Sequence, residues 1–138
     1  MSRVDLAIVK NGRCPCGSGE ILSDCCGRYL AGLGEGKLAP TAEALMRSRF
    51  TAFALGDEEH LLATWHPTTR PADLDLDSDT RWLHLEILET VDGSPFHQTG
   101  IVAFTATYRD AAGRGELRER SSFERVDGAW LYVDGVVG

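Results

Sequence analysis

All four cysteines of this 138-residue chain lie close together, at Cys14, Cys16, Cys25 and Cys26. The text reads Arg13-Cys-Pro-Cys-Gly-Ser-Gly-Glu20, then Asp24-Cys-Cys-Gly27. Four thiolates at this spacing can close around one tetrahedral zinc ion. Neighbouring side chains on a regular strand diverge, so Cys25 and Cys26 reach one metal only where the backbone turns sharply. Gly17, Gly19 and Gly27 are free to take positive φ, and Pro15 stiffens the first turn. Two disulfides, four unconnected free thiols and another soft metal such as an iron–sulfur site are the competing readings, although adjacent cysteines rarely bridge because the bond strains the peptide between them. With all four ligands supplied by protein no coordination position stays open, which makes the site structural rather than catalytic. So short a segment buries no core of its own. Its folding is expected to depend on metal, with the later domain standing without it.

The second residue with evident chemistry is Arg49. Pro40-Thr41 opens a helix, Thr41 its N-cap and Glu43 in its first turn, running to Leu55 and stopping at Gly56. One face holds Leu45, Met46, Phe50, Ala52 and Phe53, with Arg49 in the middle; Glu43, Arg47 and Thr51 point the other way. A guanidinium there needs either a carboxylate partner within the core or a pocket to face.

Asp57 caps a second helix with Leu61, Leu62 and Trp65 as its buried stripe, ended by His66-Pro67. Residues 67–80 read as a loop. Within it Asp73 to Asp79 imitates a calcium loop but lacks the glycine at position six, and His84 replaces the closing glutamate, so a solvated acidic loop is the reading. From Arg81 the period becomes two: Leu83, Leu85, Ile87 and Val91 on one face of a strand, Trp82, His84 and Glu86 on the other. Val102, Phe104, Ala106 and Tyr108 alternate along a second strand, and Asp110 to Gly115 form a loop. Residues 116–126 and 129–134 make two more strands, joined by Asp127-Gly128, a two-residue hairpin signal. Helices first and an antiparallel meander afterwards give an α+β fold. The division is a zinc knuckle and glycine-rich hinge at 1–38, and an α+β domain at 39–138.

Net charge is −7, a balance unsuited to phosphate backbones, so nucleic acid is not the expected partner. No apolar run approaches a membrane span, and the N-terminus, with an acid inside a short apolar stretch, is not a secretory signal. The cytoplasm is the expected location, where a reducing environment favours metal over disulfides.

Cys14-Pro-Cys-Gly-Ser-Gly through Cys25-Cys26-Gly27 resembles the SEC-C zinc motif. Thr41-Ala-Glu-Ala-Leu-Met-Arg-Ser-Arg-Phe50, Ala63-Thr-Trp-His-Pro67, Glu119-Arg-Ser-Ser-Phe123 and Trp130-Leu-Tyr-Val-Asp-Gly135 together resemble the YchJ-like family. The resemblance implies a zinc knuckle joined to a cone-shaped domain of the nuclear-transport-factor-two-like kind, its helices packed on a curved antiparallel sheet. In many SEC-C motifs the segment between the cysteine pairs is lysine-rich; here Glu20 to Asp24 carries no base.

A cone fold has a mouth between sheet and helices, and its candidate lining groups are Arg49, Trp65, His66, Tyr108, Arg120, Trp130, Tyr132 and Asp134. No spacing selects a catalytic set among them, and the common nucleotide, metalloprotease and nucleophile-elbow motifs are absent. Two readings of function follow. One is a protein-interaction or adaptor module with a structural four-cysteine zinc site, a homodimer being compatible with it. The other is a small-molecule binder or enzyme with its pocket around Arg49, His66 and Tyr108.

Overall fold

The computed structural model describes residues 12–30, 37–74, 76 and 79–138. The readings of the N-terminal segment, of the hinge at 31–36 and of Asp75, Asp77 and Ser78 fall outside the described residues.

Helix α1 (Ala42–Leu55) begins at Thr41, whose hydroxyl accepts the Ala44 N–H at 3.0 Å, and stops at Gly56 with φ 77°. Helix α2 (Glu58–Ala63) is capped by Asp57, whose carboxylate accepts the His60 N–H at 3.0 Å. It ends earlier than the His66-Pro67 signal suggested. Trp65 instead forms a parallel bridge with Tyr132, closed by Tyr132 N–H to Thr64 O at 2.8 Å and His66 N–H to Tyr132 O at 2.7 Å.

Four antiparallel strands follow, β1 (Arg81–Asp92), β2 (Thr99–Asp110), β3 (Gly113–Val126) and β4 (Ala129–Val137), in the order β1-β2-β3-β4. The fold is therefore α+β. Asp127 (φ 51°) and Gly128 (φ 84°) both take the left-handed conformation that a two-residue hairpin demands. The expected loop at 110–115 shrinks to Ala111-Ala112, because pairing continues out to Asp110↔Gly113.

Strand β1 departs from simple alternation. Register shifts fall between Trp82 and His84 and between Ile87 and Glu89. Each bulge inserts a residue and exchanges the faces. Trp82 therefore turns inward with Leu85 and Ile87, while Leu83 and Val91, expected on the same face as Leu85 and Ile87, are exposed. The Trp82 ring meets Phe50, Phe53 and Tyr108 at 6.2, 6.0 and 5.4 Å.

The main core lies between α1 and the sheet, with Leu45, Met46, Phe50, Leu85, Val102, Phe104, Phe123 and Trp130. A second apolar cluster joins Cys14, Cys16, Leu22, Cys26 and Leu30 to Ala52 of α1 and Leu61 of α2. Helix α1 is thus covered on two sides. Thr51, expected to face outward, is fully buried because the knuckle lies over it.

His60 ties the helices together. It is buried, and its Nε2 lies 3.0 Å from Ser48 Oγ. Burial lowers its pKa from 6.5 to about 4, against the opposing pull of Asp57. The unfolded chain takes up this proton near pH 6.5 and the folded chain only near 4, so the unfolded state binds more protons between those values. Stability from this group is complete above about pH 7 and falls as pH drops through that window, by about 3 kcal/mol in total. Urea unfolding of the wild type and of His60→Gln between about pH 7 and about pH 4.5 checks this. The wild type should lose stability more steeply, and parallel curves would refute the assignment.

Candidate functional site

Two sites lie on opposite sides of α1. The first is the cysteine knuckle. A short hairpin is closed by the Arg13↔Ile21 bridge, with Cys14 N–H donating to Glu20 O at 2.8 Å and Leu22 N–H to Gly12 O at 2.8 Å. Gly17 (φ 84°) and Gly19 (φ 90°) make its turn. Two 3-10 turns follow, Leu22–Asp24 and Cys26–Arg28, separated by Cys25 at φ −127°, ψ −118°. This is the sharp turn that lets adjacent cysteines converge. Gly27 serves by closeness rather than by positive φ: a Cβ there would come within 2.6 Å of Leu22 O.

The four sulfurs all lie within 4.8 Å of one another, and Cys16 Sγ stands 3.6 Å from Cys25 Sγ. A tetrahedral ion with metal–sulfur bonds of about 2.3 Å holds its sulfurs about 3.8 Å apart, so the donor set fits one ion. Hydrogen bonding with the Cys14 and Cys26 thiols pushes the Cys16 pKa down, and the same cluster pushes Cys14 and Cys26 up. One thiol of the cluster thus gives up its proton readily while Cys14 and Cys26 hold theirs, so a metal ion binding all four sulfurs has to displace those protons. Outer partners surround the sulfurs: Ser18 Oγ lies 3.1 Å from Cys25 Sγ, and Thr51 Oγ1 lies 3.5 Å from Cys14 Sγ. Arg47 donates from Nη1 to Cys16 O at 3.0 Å while its Nε donates to Glu43 at 3.0 Å. The knuckle is therefore pinned to α1 by polar and apolar contacts alike.

The second site is a cavity of about 280 Å³ between α1 and the sheet. Met46, Phe50, Phe53, Trp82, Phe104, Ala106 and Leu117 give it apolar walls, and Arg49, Trp65, Glu119, Ser121 and Tyr132 complete it. Arg49 is 3 % exposed. Its Nη1 donates to Leu61 O and to Thr64 Oγ1, both at 2.8 Å. Its guanidinium packs on the Trp65 and Tyr132 rings, 4.9 and 4.6 Å from their centroids. Burial lowers its pKa to about 10, so it stays cationic at neutral pH. Among the described residues no carboxylate comes within ion-pair distance of it.

Glu119 Oε1 accepts from Ser121 Oγ at 2.7 Å and from the Tyr132 hydroxyl at 3.2 Å. Burial, reinforced by Glu119, raises the Tyr132 pKa to about 12, so the phenol remains a donor. The carboxylate lies where only Gly135 leaves room for it, since a Cβ there would approach Glu119 Oε1 to 2.0 Å.

Of the eight residues named from sequence as pocket candidates, Arg49, Trp65 and Tyr132 line this cavity. The other five do not. His66 sits beside Glu124 at 3.4 Å and Thr68. Tyr108 lies over Trp82. Arg120 pairs with Glu89 at 2.6 Å on exposed side chains. Trp130 is core, its Nε1 donating to Pro40 O at 3.3 Å. Asp134 is exposed. The grouping of Arg49 with His66 and Tyr108 is thereby corrected, because the bridge at Trp65 carries His66 to the sheet edge. Glu119 and Ser121 were missed. Their alternation with Leu117 and Phe123 on β3 was the available signal, since it places a carboxylate on the inward face.

Residues 41–135 match the family described as "YchJ, middle NTF2-like domain". A UPF0225 protein of Streptomyces coelicolor is 61% identical over 88% of this chain and 93% of its own length. One from Corynebacterium glutamicum is 51% identical over 91% of this chain and 97% of its own. Among solved structures, a SEC-C motif containing protein from Rhodopseudomonas palustris superposes with a TM-score of 0.77 at 32% identity, covering 91% of this chain and 98% of that one. Another, from Psychrobacter arcticus, gives 0.76 at 25% identity, over 95% and 85%.

The apolar cluster shared by knuckle and helices couples the folding of the knuckle to that of the larger domain. Stripping metal with a strong chelator, or substituting Cys26→Ser, should abolish amide protection over residues 12–30. It should also lower the melting midpoint of the sheet by on the order of 10 °C, equivalent to about 3 kcal/mol. Hydrogen exchange together with a thermal melt measures both. An unchanged sheet midpoint would show that the two cores are energetically separate.

Proposed function

We propose, from the premise that this chain belongs to the YchJ-like family of UPF0225 proteins, that its NTF2-like domain binds a small, largely apolar molecule in the cavity beside α1. The cysteine knuckle is then a structural zinc site that braces this helix. The cavity carries the reading. Its volume, about 280 Å³, is roughly twice the 150 Å³ that accommodates benzene, so a ligand of about a dozen heavy atoms fits. Apolar walls with a few grouped polar residues are the usual make-up of a ligand pocket.

Zinc is the metal that a closed set of four thiolates selects most readily. The buried Cys14, Cys16, Cys26, Leu22 and Leu30 are engaged in contacts within the chain. That favours a bracing role over an adaptor role for this face of the knuckle.

The test is a nuclear magnetic resonance titration of the full, metal-loaded chain with apolar aromatic probes of about ten to thirteen heavy atoms. Shifts should concentrate on Met46, Phe53, Trp65, Trp82 and Tyr132, and should vanish when Leu117→Trp fills the cavity. Probes that leave these residues unmoved would end the reading. Elemental analysis of the purified protein should give one zinc per chain.

A further inference from the structure

We infer that the cavity is built for a carboxylate-bearing ligand with a flat apolar body, its carboxylate received by Arg49 and Trp65. This inference rests on the small-molecule reading and adds a chemical class to it. The observation behind it is a surplus of hydrogen-bond donors on two residues that line the cavity.

Arg49 has five N–H groups. Only Nη1 is engaged, with Leu61 O and Thr64 Oγ1. Nε and Nη2 have no hydrogen-bond partner among the described residues, although the side chain is 3 % exposed. Trp65, which lines the same cavity, holds its Nε1 buried and without a partner. A buried donor left unmade costs about 1–3 kcal/mol, and more when charged. That cost applies to Trp65 Nε1, whereas Arg49 Nε and Nη2 are unpartnered among the described residues and not fully enclosed, on a residue that lines the same cavity; both residues can take acceptors from a ligand.

The acceptors already present do not serve. Glu119 Oε1 is taken up by Ser121 and Tyr132. Its charge acts on Arg49 only from beyond ion-pair range. The unengaged edge of a guanidinium, Nε with Nη2, is the fork that meets a carboxylate through two parallel hydrogen bonds. The aromatic faces of Trp65 and Tyr132 hold the guanidinium from other sides and fix where that edge lies. The apolar walls from Phe50, Phe53, Trp82 and Phe104 accept the body of the ligand.

The test compares two isosteric probes, 3-phenylpropanoate and 3-phenylpropanamide, titrated into the full metal-loaded chain at neutral pH by calorimetry and by the Trp65 indole N–H resonance. The acid should bind at least about tenfold more tightly than the amide and should shift that resonance downfield. Trp65→Phe, which keeps a ring but removes the N–H, should weaken the acid about threefold and leave the amide unchanged. Glu119→Gln, which removes a nearby like charge, should strengthen the acid severalfold. Arg49→Lys, which keeps the charge and loses the fork, should bring acid and amide within about threefold. Because the first comparison uses the wild type, it holds even if Arg49 variants fail to fold. An amide that binds as well as the acid overturns the carboxylate assignment while leaving the cavity a ligand site. Failure of both probes, together with failure of the wider aromatic set, overturns the ligand site itself.

Discussion

Helix α1 is buried on two sides, and the rest of the molecule is arranged around that fact. One side meets the sheet and the cavity; the other meets the cysteine knuckle and α2. A helix so enclosed has little solvent-facing surface for its polar residues, and each one inside must find a partner. Ser48 donates to Leu45 O and meets His60. Thr51 meets the Cys14 sulfur. Arg49 reaches the carbonyl of Leu61 near the end of α2 and the hydroxyl of Thr64. These three residues join the helix to its neighbours in three directions, and the cysteine knuckle and the cavity lie on two faces of one element.

A continuous run of contacts follows. The knuckle packs on Thr51 and Ala52; Arg49, on the cavity side, is held by Leu61 and Thr64. The chain leaving α2 docks on β4, where Trp65 meets Tyr132 edge-on at 5.2 Å. Tyr132 in turn holds Glu119. A metal ion held by the four sulfurs would thereby stiffen the element from which the cavity's cation projects, without any of those sulfurs reaching the cavity. That division suits a closed four-sulfur site, whose contribution is conformational.

Much of this was readable from sequence where local physics decides the outcome. The caps at Thr41 and Asp57, the stop at Gly56 and the Asp127-Gly128 hairpin each depend on two to four neighbouring residues, and each lies where expected. The alternation on β2 also held, because no bulge interrupts its pairing with β3. Strand β1 failed the same test for a definite reason: two bulges moved Trp82 inward and Leu83 outward, and periodicity carries no mark of an inserted residue. The burial of Thr51 was invisible because one apolar stripe predicts one covered face. The second cover comes from a segment whose own apolar residues are mostly cysteines. Glu119 was passed over since charge is ordinarily read as surface, and only the three-dimensional register brings it beside Gly135 and Tyr132.

Arg47 and Arg49 allow a comparison within a single helix. Arg47 is half-buried and pairs with Glu43 one turn back; burial is the largest single influence and works against its charge, yet Glu43 and Cys16 together more than offset it and its pKa rises. This is how the chain secures a guanidinium for structural purposes, with a carboxylate at i−4 and a carbonyl at hand. Arg49 lies deeper and has no such carboxylate, and burial lowers its pKa. Two hydrogen bonds to a charged group, at roughly 1.5–3 kcal/mol each, and two ring faces, at about 2 kcal/mol each when desolvated, offset much of the several kcal/mol that burying the charge costs. They leave Nε and Nη2 unengaged. A chain that needed Arg49 only for stability would gain more from an apolar side chain of similar volume at that position. The guanidinium is accounted for by what it offers to the cavity.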